Sequence, residues 1–291
     1  MVPDLSWGPP ADPAAVHALI AAATKADGDA PVGENVLLHL TEGDNLLVVE
    51  DGDLVGFAHL DPVAADGSRS AEFTVHPDAR RRGIGDLIVT ALLERADGVL
   101  RAWAHGDHPA AAALAARHGF ARTRELWRMR RPLAPTDVFE PVLPDGVTLR
   151  AFVVGRDESE FLRVNNAAFD WHPEQGGWEV EQVLLREAEP WFDAAGFLLA
   201  VNAEGTLLGY HWTKVHHDET PPIGEVYVLG VDPSARGMRL GSALTLAGLA
   251  YLRDRGLGEV LLYVESDNSA AIRVYADLGF HHSETDVSYS R

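Results

Sequence analysis

The amino-acid sequence predicts an α/β protein built as two tandem domains, each with a mixed, mostly antiparallel central sheet flanked by helices. Three observations carry this expectation. The segments of the first half recur in the same order in the second, offset by about 150 residues, which marks domain duplication rather than a short-period solenoid. Within each half the apolar spacing switches between the two-residue alternation of strands and the 3.6-residue period of helices. The chain has 291 residues, so each half is long enough to bury its own core.

The elements follow in order. The first half opens on helix-like sequence, PAAVHALIAAATKA at 13–26. LLVVEDGDLVGFAHL (46–60) is two β-rich runs around a DGD turn, and so a hairpin. EFTVHPDARRRGIGDLIVTALLERA (72–96) is a strand, a turn and an amphipathic helix. RAWAHGDHPAAAALAARHGFARTRELWRMR (101–130) is a strand, a loop, a short helix and a final strand, with Gly119 where a helix C-terminal glycine belongs. The second half repeats this series. ESEFLRVNNAAF (158–169) is helix-like, and FLLAVNAEGTLLGYHW (197–212) is a hairpin around AEG. EVYVLGVDPSARGMRLGSALTLAGLAYL (225–252) and LLYVESDNSAAIRVYADLGFHHSETDVSYS (261–290) complete it, with Gly279 at the matching corner. RPLAPTDVFEPVLPDGV lies between the halves, with prolines at 132, 135, 141 and 144. The expected domains are 1–135 and 147–291, joined by a linker at 136–146.

Composition narrows the function. The formal net charge is −20, which argues against a broad nucleic-acid-binding surface and makes the basic turn at Arg80–Arg82 stand out. There is no cysteine, so disulfides, thiolate metal sites and a cysteine nucleophile are excluded. No run of about 18 apolar residues exists, and the acidic, proline-rich N-terminus is unlike a signal peptide. A cytoplasmic enzyme or binding protein acting on a small molecule is expected, with no nucleic acid and no membrane. A monomer fits, because the duplicated domain removes one common reason to dimerise.

The strand-to-helix turns carry the chemistry. In the first, Gly83 and Gly85 let a ligand approach the backbone closely. The N–H groups and dipole of the following helix favour an anion, and the arginines add forked donors. These features suit a pyrophosphate. G-I-G-D-L-I lacks the third glycine of the dinucleotide fingerprint, and no G-K-[ST] follows, so neither a Rossmann nor a Walker site is expected. A plain surface turn with arginines is the competing reading of one copy alone. The second turn reads Arg236-Gly237-Met238-Arg239-Leu240-Gly241, with Arg239 at the first glycine position. A side chain is tolerable there if residue 239 has an ordinary helical φ, and its guanidinium then adds charge toward phosphate. The alternative is that its Cβ crowds the ligand.

Arg80-Arg81-Arg82-Gly83-Ile84-Gly85 after a strand ending in V-x-P resembles the acyl-CoA pyrophosphate turn of GNAT-type N-acetyltransferases. Asn268…Ala271…Tyr275-Ala-Asp-Leu-Gly279-Phe280 resembles that family's N-x-x-A…Y-x-x-x-G-F signature. The resemblance covers both halves and implies a tandem GNAT protein. Six further stretches resemble the mycothiol synthase family: APVGENV (30–36), RVNNAAF (163–169), HPEQGGW (172–178), HWTKVH (211–216), GEVYVLGVDP (224–233) and LLYVESDN (261–268). That resemblance implies acetyl transfer from acetyl-CoA to the cysteinyl amine of a cysteine–glucosamine–inositol precursor.

Aligning the two turns without gaps places Glu225 opposite Arg69, and aligning the Gly-Phe corners places Tyr275 opposite Ala115. Only the C-terminal half therefore has a carboxylate and a phenol at these places. An α-amine with a pKa of about 8 needs a base, and the leaving CoA sulfur needs a proton. Glu225 is the expected base, Tyr275 the expected acid, and a backbone N–H near Leu229 the expected oxyanion donor. The resemblance implies the same base and acid roles. Taken singly, a glutamate at a strand start is most often solvated and such a tyrosine most often packs.

The resemblance also implies acetyl-CoA contacts at Leu229, Gly230 and Val231, at Arg236, Gly237, Met238, Arg239, Leu240, Gly241 and Ser242, and at Asn268, Ser269, Ala270, Ala271, Ile272 and Arg273. The matching N-terminal positions Phe73, Thr74, Val75, Arg81, Arg82, Gly83, Ile84, Gly85 and Asp86 imply a second, non-reacting acetyl-CoA. Substrate contacts are implied at Glu34, Glu174, Lys214, Glu225 and Tyr263. Lys214 is one of two lysines in the chain, while Glu34 would require the N-terminal domain to border the C-terminal cleft. No metal is expected: His216-His217-Asp218-Glu219 lies in a loop-like stretch, and adjacent residues rarely point at one ion. Capping or solvated roles are expected for His105 and His108. Two other functions stay open, a GNAT enzyme for another amine such as an aminoglycoside or a peptide, and a non-enzymatic tandem acyl-CoA-binding protein.

Overall fold

A computed structural model describes residues 3–42, 44–64, 66–171, 176–217 and 219–291. The chain folds as two units. Unit 1 comprises the residues up to Trp127 together with Glu284–Arg291, and unit 2 comprises Arg128–Ser283.

Unit 1 contains β1 (Asp4–Trp7), α1 (Pro13–Asp27), α2 (Glu34–Leu38), β2 (Asp44–Glu50), β3 (Asp53–Leu60), β4 (Arg69–Val75), α3 (Ile84–Ala96), β5 (Leu100–Ala104), α4 (Pro109–Arg117) and the start of β6 (Ala121–Pro132). β1 through β4 pair antiparallel in sequence order, and β4 pairs parallel with β5. Helices cover both faces of this sheet. Val16, Leu19 and Ile20 of α1 pack with Val32, Val36 and Phe57, whereas Ile84, Ile88 and Leu92 of α3 pack with Leu46, Val48, Ala58 and Leu60. Asp12 caps α1 by accepting the Ala14 N–H at 3.0 Å, and Pro13 needs no donor in the first turn.

Unit 2 contains the end of β6, then β7 (Thr148–Ala151), α5 (Glu158–Ala168), α6 (Val180–Glu187), β8 (Phe197–Val201), β9 (Leu207–His216), β10 (Ile223–Val231), α7 (Leu240–Asp254), β11 (Glu259–Glu265), α8 (Ser269–Asp277) and the start of β12 (His281–Ser290). β7 through β10 pair antiparallel in order, and β10 pairs parallel with β11. Its core is aromatic: Phe161, Trp178, Phe197, Tyr210 and Trp212 are all buried in one cluster. Phe197 stacks on Trp212 with centroids 4.4 Å apart, and Phe161 meets Tyr210 edge-on at 4.7 Å.

The division of the chain differs from the boundaries 1–135 and 147–291, since residues 128–135 and the linker at 136–146 belong to unit 2 and the chain's end belongs to unit 1. The last strand crosses the boundary, and its residues from Glu284 onward belong to unit 1. There Val287–Ser290 pair antiparallel with Ala104–Arg101 of β5. Arg128–Pro132 of β6 belong correspondingly to unit 2. Among the described residues, no helix is long and apolar enough to cross a membrane.

Candidate active site

The two turns share a backbone. Arg80 and Arg236 are both extended, with φ/ψ of −67°/161° and −60°/141°. Two left-handed residues then follow in each turn, Arg81 (φ 64°) and Gly83 (φ 87°) in unit 1, Gly237 (φ 84°) and Arg239 (φ 58°) in unit 2. Each turn thus places one glycine and one arginine at its two left-handed positions, in opposite order. Arg239 is therefore not in the ordinary helical conformation expected from the sequence: it is the N-cap of α7 in a turn whose path requires positive φ there. A non-glycine residue in this region costs about 1–2 kcal/mol. Arg239→Gly relieves that strain but adds about 0.4–1 kcal/mol of unfolded-chain entropy. The expected net result is a slightly raised melting temperature, with acetyl-CoA affinity within about tenfold of the parent by titration calorimetry. A large gain in affinity would mean that the arginine obstructs the ligand.

Both turns end at an uncapped helix N-terminus. Neither Gly83 nor Arg239 caps its helix with a side-chain hydrogen bond, so the N-terminal amides of α3 and α7 keep their donors. The cations differ between units. Arg80 forks onto Asp27 at 2.6 and 2.7 Å, and Arg82 reaches Glu50 at 2.5 Å, which leaves Arg81 as the turn's uncommitted cation. Among the described residues, no carboxylate pairs with Arg236 or Arg239.

Beyond the turns, each parallel strand pair opens. The β4–β5 ladder runs from Arg69↔Leu100 to Ala71↔Ala102, although both strands continue further. The β10–β11 ladder likewise runs only from Gly224↔Val260 to Val226↔Leu262. In unit 1 the opening forms the wall of a cavity of about 540 Å³, within the range of small-molecule sites. Phe73, Thr74, Val75, Arg81, Gly83, Ile84, Gly85 and Asp86 all line it, and Arg82 does not. The Asp86 carboxylate is held by His118 at 3.0 Å and Arg117 at 2.7 Å, which lower its pKa against the opposing effect of burial.

In unit 2 the β9–β10 register shifts between Val226 and Val228, a bulge at Tyr227. The corresponding β3–β4 register is continuous from Gly56↔Val75 to Leu60↔Ala71. This extra residue corrects the gapless alignment. Glu225 pairs with Leu261 in the parallel ladder, as Ser70 pairs with Arg101, so its counterpart is Ser70 and not Arg69. Glu225 is 6 % exposed, and its Oε2 lies 2.6 Å from His216 Nε2. Leu229, Gly230 and Val231 follow the bulge on β10, paired with His211, Tyr210 and Gly209 of β9 and beyond the end of the β10–β11 ladder. Gly230 has a further reason to be glycine, since a Cβ there would meet the Tyr210 ring at 2.7 Å.

Tyr275 does correspond to Ala115. Phe280 donates its N–H to Tyr275 O at 3.0 Å as Phe120 does to Ala115 O at 2.9 Å, so both corners close identically. Tyr275 stacks edge-on with Phe280 at 5.8 Å, and burial of its hydroxyl pushes its pKa up to about 12. Asn268 caps α8, accepting the Ala271 N–H at 3.1 Å, ahead of Ser269, Ala270, Ile272 and Arg273.

Among the residues implied to touch substrate, Lys214 lies opposite Glu225 on β9, with Nζ 4.5 Å from the Trp191 ring centre and 5.2 Å from that of Tyr227. Tyr263 is 40 % exposed on β11, two residues beyond the partner of Glu225. Glu34 opens α2 in unit 1. Glu174 lies outside the described residues, as does Asp218 of the histidine-rich stretch. The sequence reading did not single out Tyr227, Arg186 or the His216–Glu225 contact. Arg186 donates to the Tyr227 hydroxyl at 2.6 Å and covers the Trp178 ring at 4.4 Å, which fixes the bulge residue's side chain. His105 is neither a cap nor solvated. Its ring lies between Glu72 at 3.1 Å and Asp286 at 3.0 Å. His108 does cap α4, accepting the Ala110 N–H at 3.1 Å.

Comparison with known proteins follows the same lines. Residues 165–280 match the model of the "Acetyltransferase (GNAT) family", and residues 42–122 match that of an "Acetyltransferase (GNAT) domain". The chain is 53 % identical over 281 residues to a mycothiol acetyltransferase of Nocardia farcinica, covering 95 % of this chain and 93 % of that protein. It is 52 % identical over 298 residues to one of Actinosynnema mirum, covering 99 % of each. Among solved structures, a tandem GNAT protein from the clavulanic acid biosynthesis pathway superposes with a TM-score of 0.77 at 22 % identity, covering 99 % of this chain and 98 % of that one. A GCN5-related N-acetyltransferase from Sphaerobacter thermophilus gives a TM-score of 0.72 at 26 % identity, covering 100 % and 96 %.

Proposed function

Because the chain belongs to the mycothiol acetyltransferase family, as an acetyl-CoA-dependent tandem GNAT enzyme, we propose that unit 2 acetylates the cysteinyl α-amine of cysteinyl-glucosaminyl-inositol, the final step of mycothiol biosynthesis. The observation that carries this reading is the buried carboxylate of Glu225 beside the bulge where β10 parts from β11, with only Ser70 at the matching place in unit 1.

The reaction is direct attack. Acetyl-CoA lies with its pyrophosphate on the turn Arg236–Ser242 and the N-terminus of α7, and its pantetheine arm passes Leu229–Val231 and Asn268–Arg273. Glu225 takes a proton from the substrate ammonium, the neutral amine nitrogen then bonds to the thioester carbonyl carbon, and the extra proton left on that nitrogen is lost to solvent as the tetrahedral intermediate collapses. A backbone N–H near Leu229 donates to the oxyanion, on the edge of β10 that lies beyond the last β11 pair at Val226. The C–S bond breaks as Tyr275 donates its proton toward the sulfur. Exchange with solvent restores both side chains. Lys214, Tyr263, Glu174 and Glu34 are the residues proposed to hold the hydroxyl-rich sugar and inositol, since carboxylates and phenols accept or donate readily to hydroxyls. Unit 1 is proposed to hold a second, non-reacting acetyl-CoA. The cavity at its turn and the free Arg81 support this, and its lack of a counterpart to Glu225 and Tyr275 argues against turnover there.

A CoA-release assay tests the acceptor. Turnover is expected with cysteinyl-glucosaminyl-inositol. Turnover with aminoglycosides or peptide N-termini but none with that acceptor selects a different GNAT enzyme. Mass spectrometry of the intact complex tests the second ligand, with two acetyl-CoA molecules per chain expected. One per chain, abolished by changes at Arg239 and Gly241, counts against it.

A further inference from the structure

The basic partner of Glu225 is a residue for which the reaction, as described, has no use. His216 ends β9, and its Nε2 lies 2.6 Å from Glu225 Oε2. The β9–β10 register makes this a built contact. His216 pairs with Ile223 and Lys214 with Glu225, so His216 and Glu225 are diagonal neighbours on one face of the two strands. The glutamate side chain is 8 % exposed and the histidine 25 %, so the carboxylate is the more deeply buried of the pair. Among the described residues, His216 is the only side chain hydrogen-bonded to Glu225, and it engages one of the two carboxylate oxygens.

We infer that His216 is a positioning residue: it donates Nε2–H to Oε2, fixes the Glu225 rotamer and so leaves Oε1 to face the amine. This inference rests on the reading of Glu225 as the base. A buried carboxylate held at one oxygen has one oxygen free for the incoming proton. Without that hold the carboxylate samples other rotamers, and a misplacement of about 1 Å costs on the order of 10²-fold in rate. Lys214 does not replace the histidine, because its ammonium is turned onto the Trp191 and Tyr227 rings.

The test compares His216→Ala, His216→Gln and Glu225→Gln in the full chain, measuring kcat and the KM of each substrate. Gln carries an amide N–H at about the reach of Nε2, so it preserves the donor without an imidazole. The expected result is a kcat about 10²-fold lower in His216→Ala, both KM values near those of the parent, and most of the loss recovered in His216→Gln. A His216→Ala enzyme with parental kcat overturns the inference. So does a His216→Gln enzyme as slow as His216→Ala with an unchanged melting temperature, because the imidazole would then be exchanging the proton itself. If Glu225→Gln also keeps parental kcat, the assignment of the base has failed; if only Glu225→Gln is slow, the failure belongs to His216 alone.

Discussion

Glu225→Gln lowers kcat by about 10²–10⁴-fold, the span that a positioned general base contributes, while the KM for acetyl-CoA stays near the parental value. Gln keeps the size of the side chain and cannot take a proton. Glu225 lies before the bulge, whereas the pyrophosphate turn lies beyond Val231. The substitution is therefore expected to remove chemistry without disturbing the proposed cofactor anchor. Tyr275→Phe is expected to cost less. Burial pushes the phenol's pKa up to about 12, far above that of a thiol at about 8.5. On the proposed mechanism the phenol stabilises the sulfur by hydrogen-bonding as charge develops on it, and the proton passes only as the C–S bond breaks. Such a bond to a charged group contributes about 1.5–3 kcal/mol, or roughly 10- to 10²-fold in rate. The raised pKa also fixes the sign of the pH dependence. Tyr275 stays protonated, and able to donate, until the pH approaches about 12. An alkaline loss of kcat well below that pH, abolished in Tyr275→Phe, would contradict the raised pKa, whereas a Tyr275→Phe enzyme with parental kcat would contradict the role. A Glu225→Gln enzyme with parental kcat would remove the carboxylate from the mechanism.

Much of this site is legible in the sequence because turns and caps are local. The Gly-Phe corner identified Tyr275 with Ala115 correctly, since no residue is inserted between that tyrosine and the helix end. The strand-to-helix turns are legible for the same reason. The exchange of glycine and arginine between their two left-handed positions is not, because a motif records which residue is present and not its φ. Glu225 was placed one residue away from its true counterpart. The cause is the bulge at Tyr227, which adds a residue to one strand and which only the ladder reveals. His216 illustrates the same limit. The HHDE run looked like a loop, yet its first histidine is the last residue of a strand, and its partner lies across a register that neither segment encodes alone. The closing strand is the largest non-local feature. Residues from Glu284 look like the end of the second copy, but they complete the sheet of unit 1.

That closing strand carries Asp286, and His105→Gln should reveal how strongly it is held. The imidazole lies 3.0 Å from Asp286 and 3.1 Å from Glu72, while Gly106 and Gly33 donate N–H bonds to the same two carboxylates. Burial disfavours the charged ring, but the hydrogen bonds and charges of Asp286 and Glu72 outweigh it and raise the pKa to about 10. Gln removes the imidazolium that the two largely buried carboxylates share, and breaking such a group by removing one partner costs about 3–5 kcal/mol. Hydrogen exchange should locate the loss: protection falls along β4, β5 and Val287–Ser290 of unit 1 and holds in α7 of unit 2. The pH dependence has a definite sign. The folded pKa of about 10 exceeds the unfolded value of about 6.5, so the histidine's contribution is complete below pH 6.5 and is lost as pH rises through 10. The melting temperature of unit 1 in the parent should therefore fall across that window. In His105→Gln the same window should be nearly flat. Parallel curves for the two proteins would mean that the imidazole carries no charge between its carboxylates, and that the last strand is held by its backbone ladder alone.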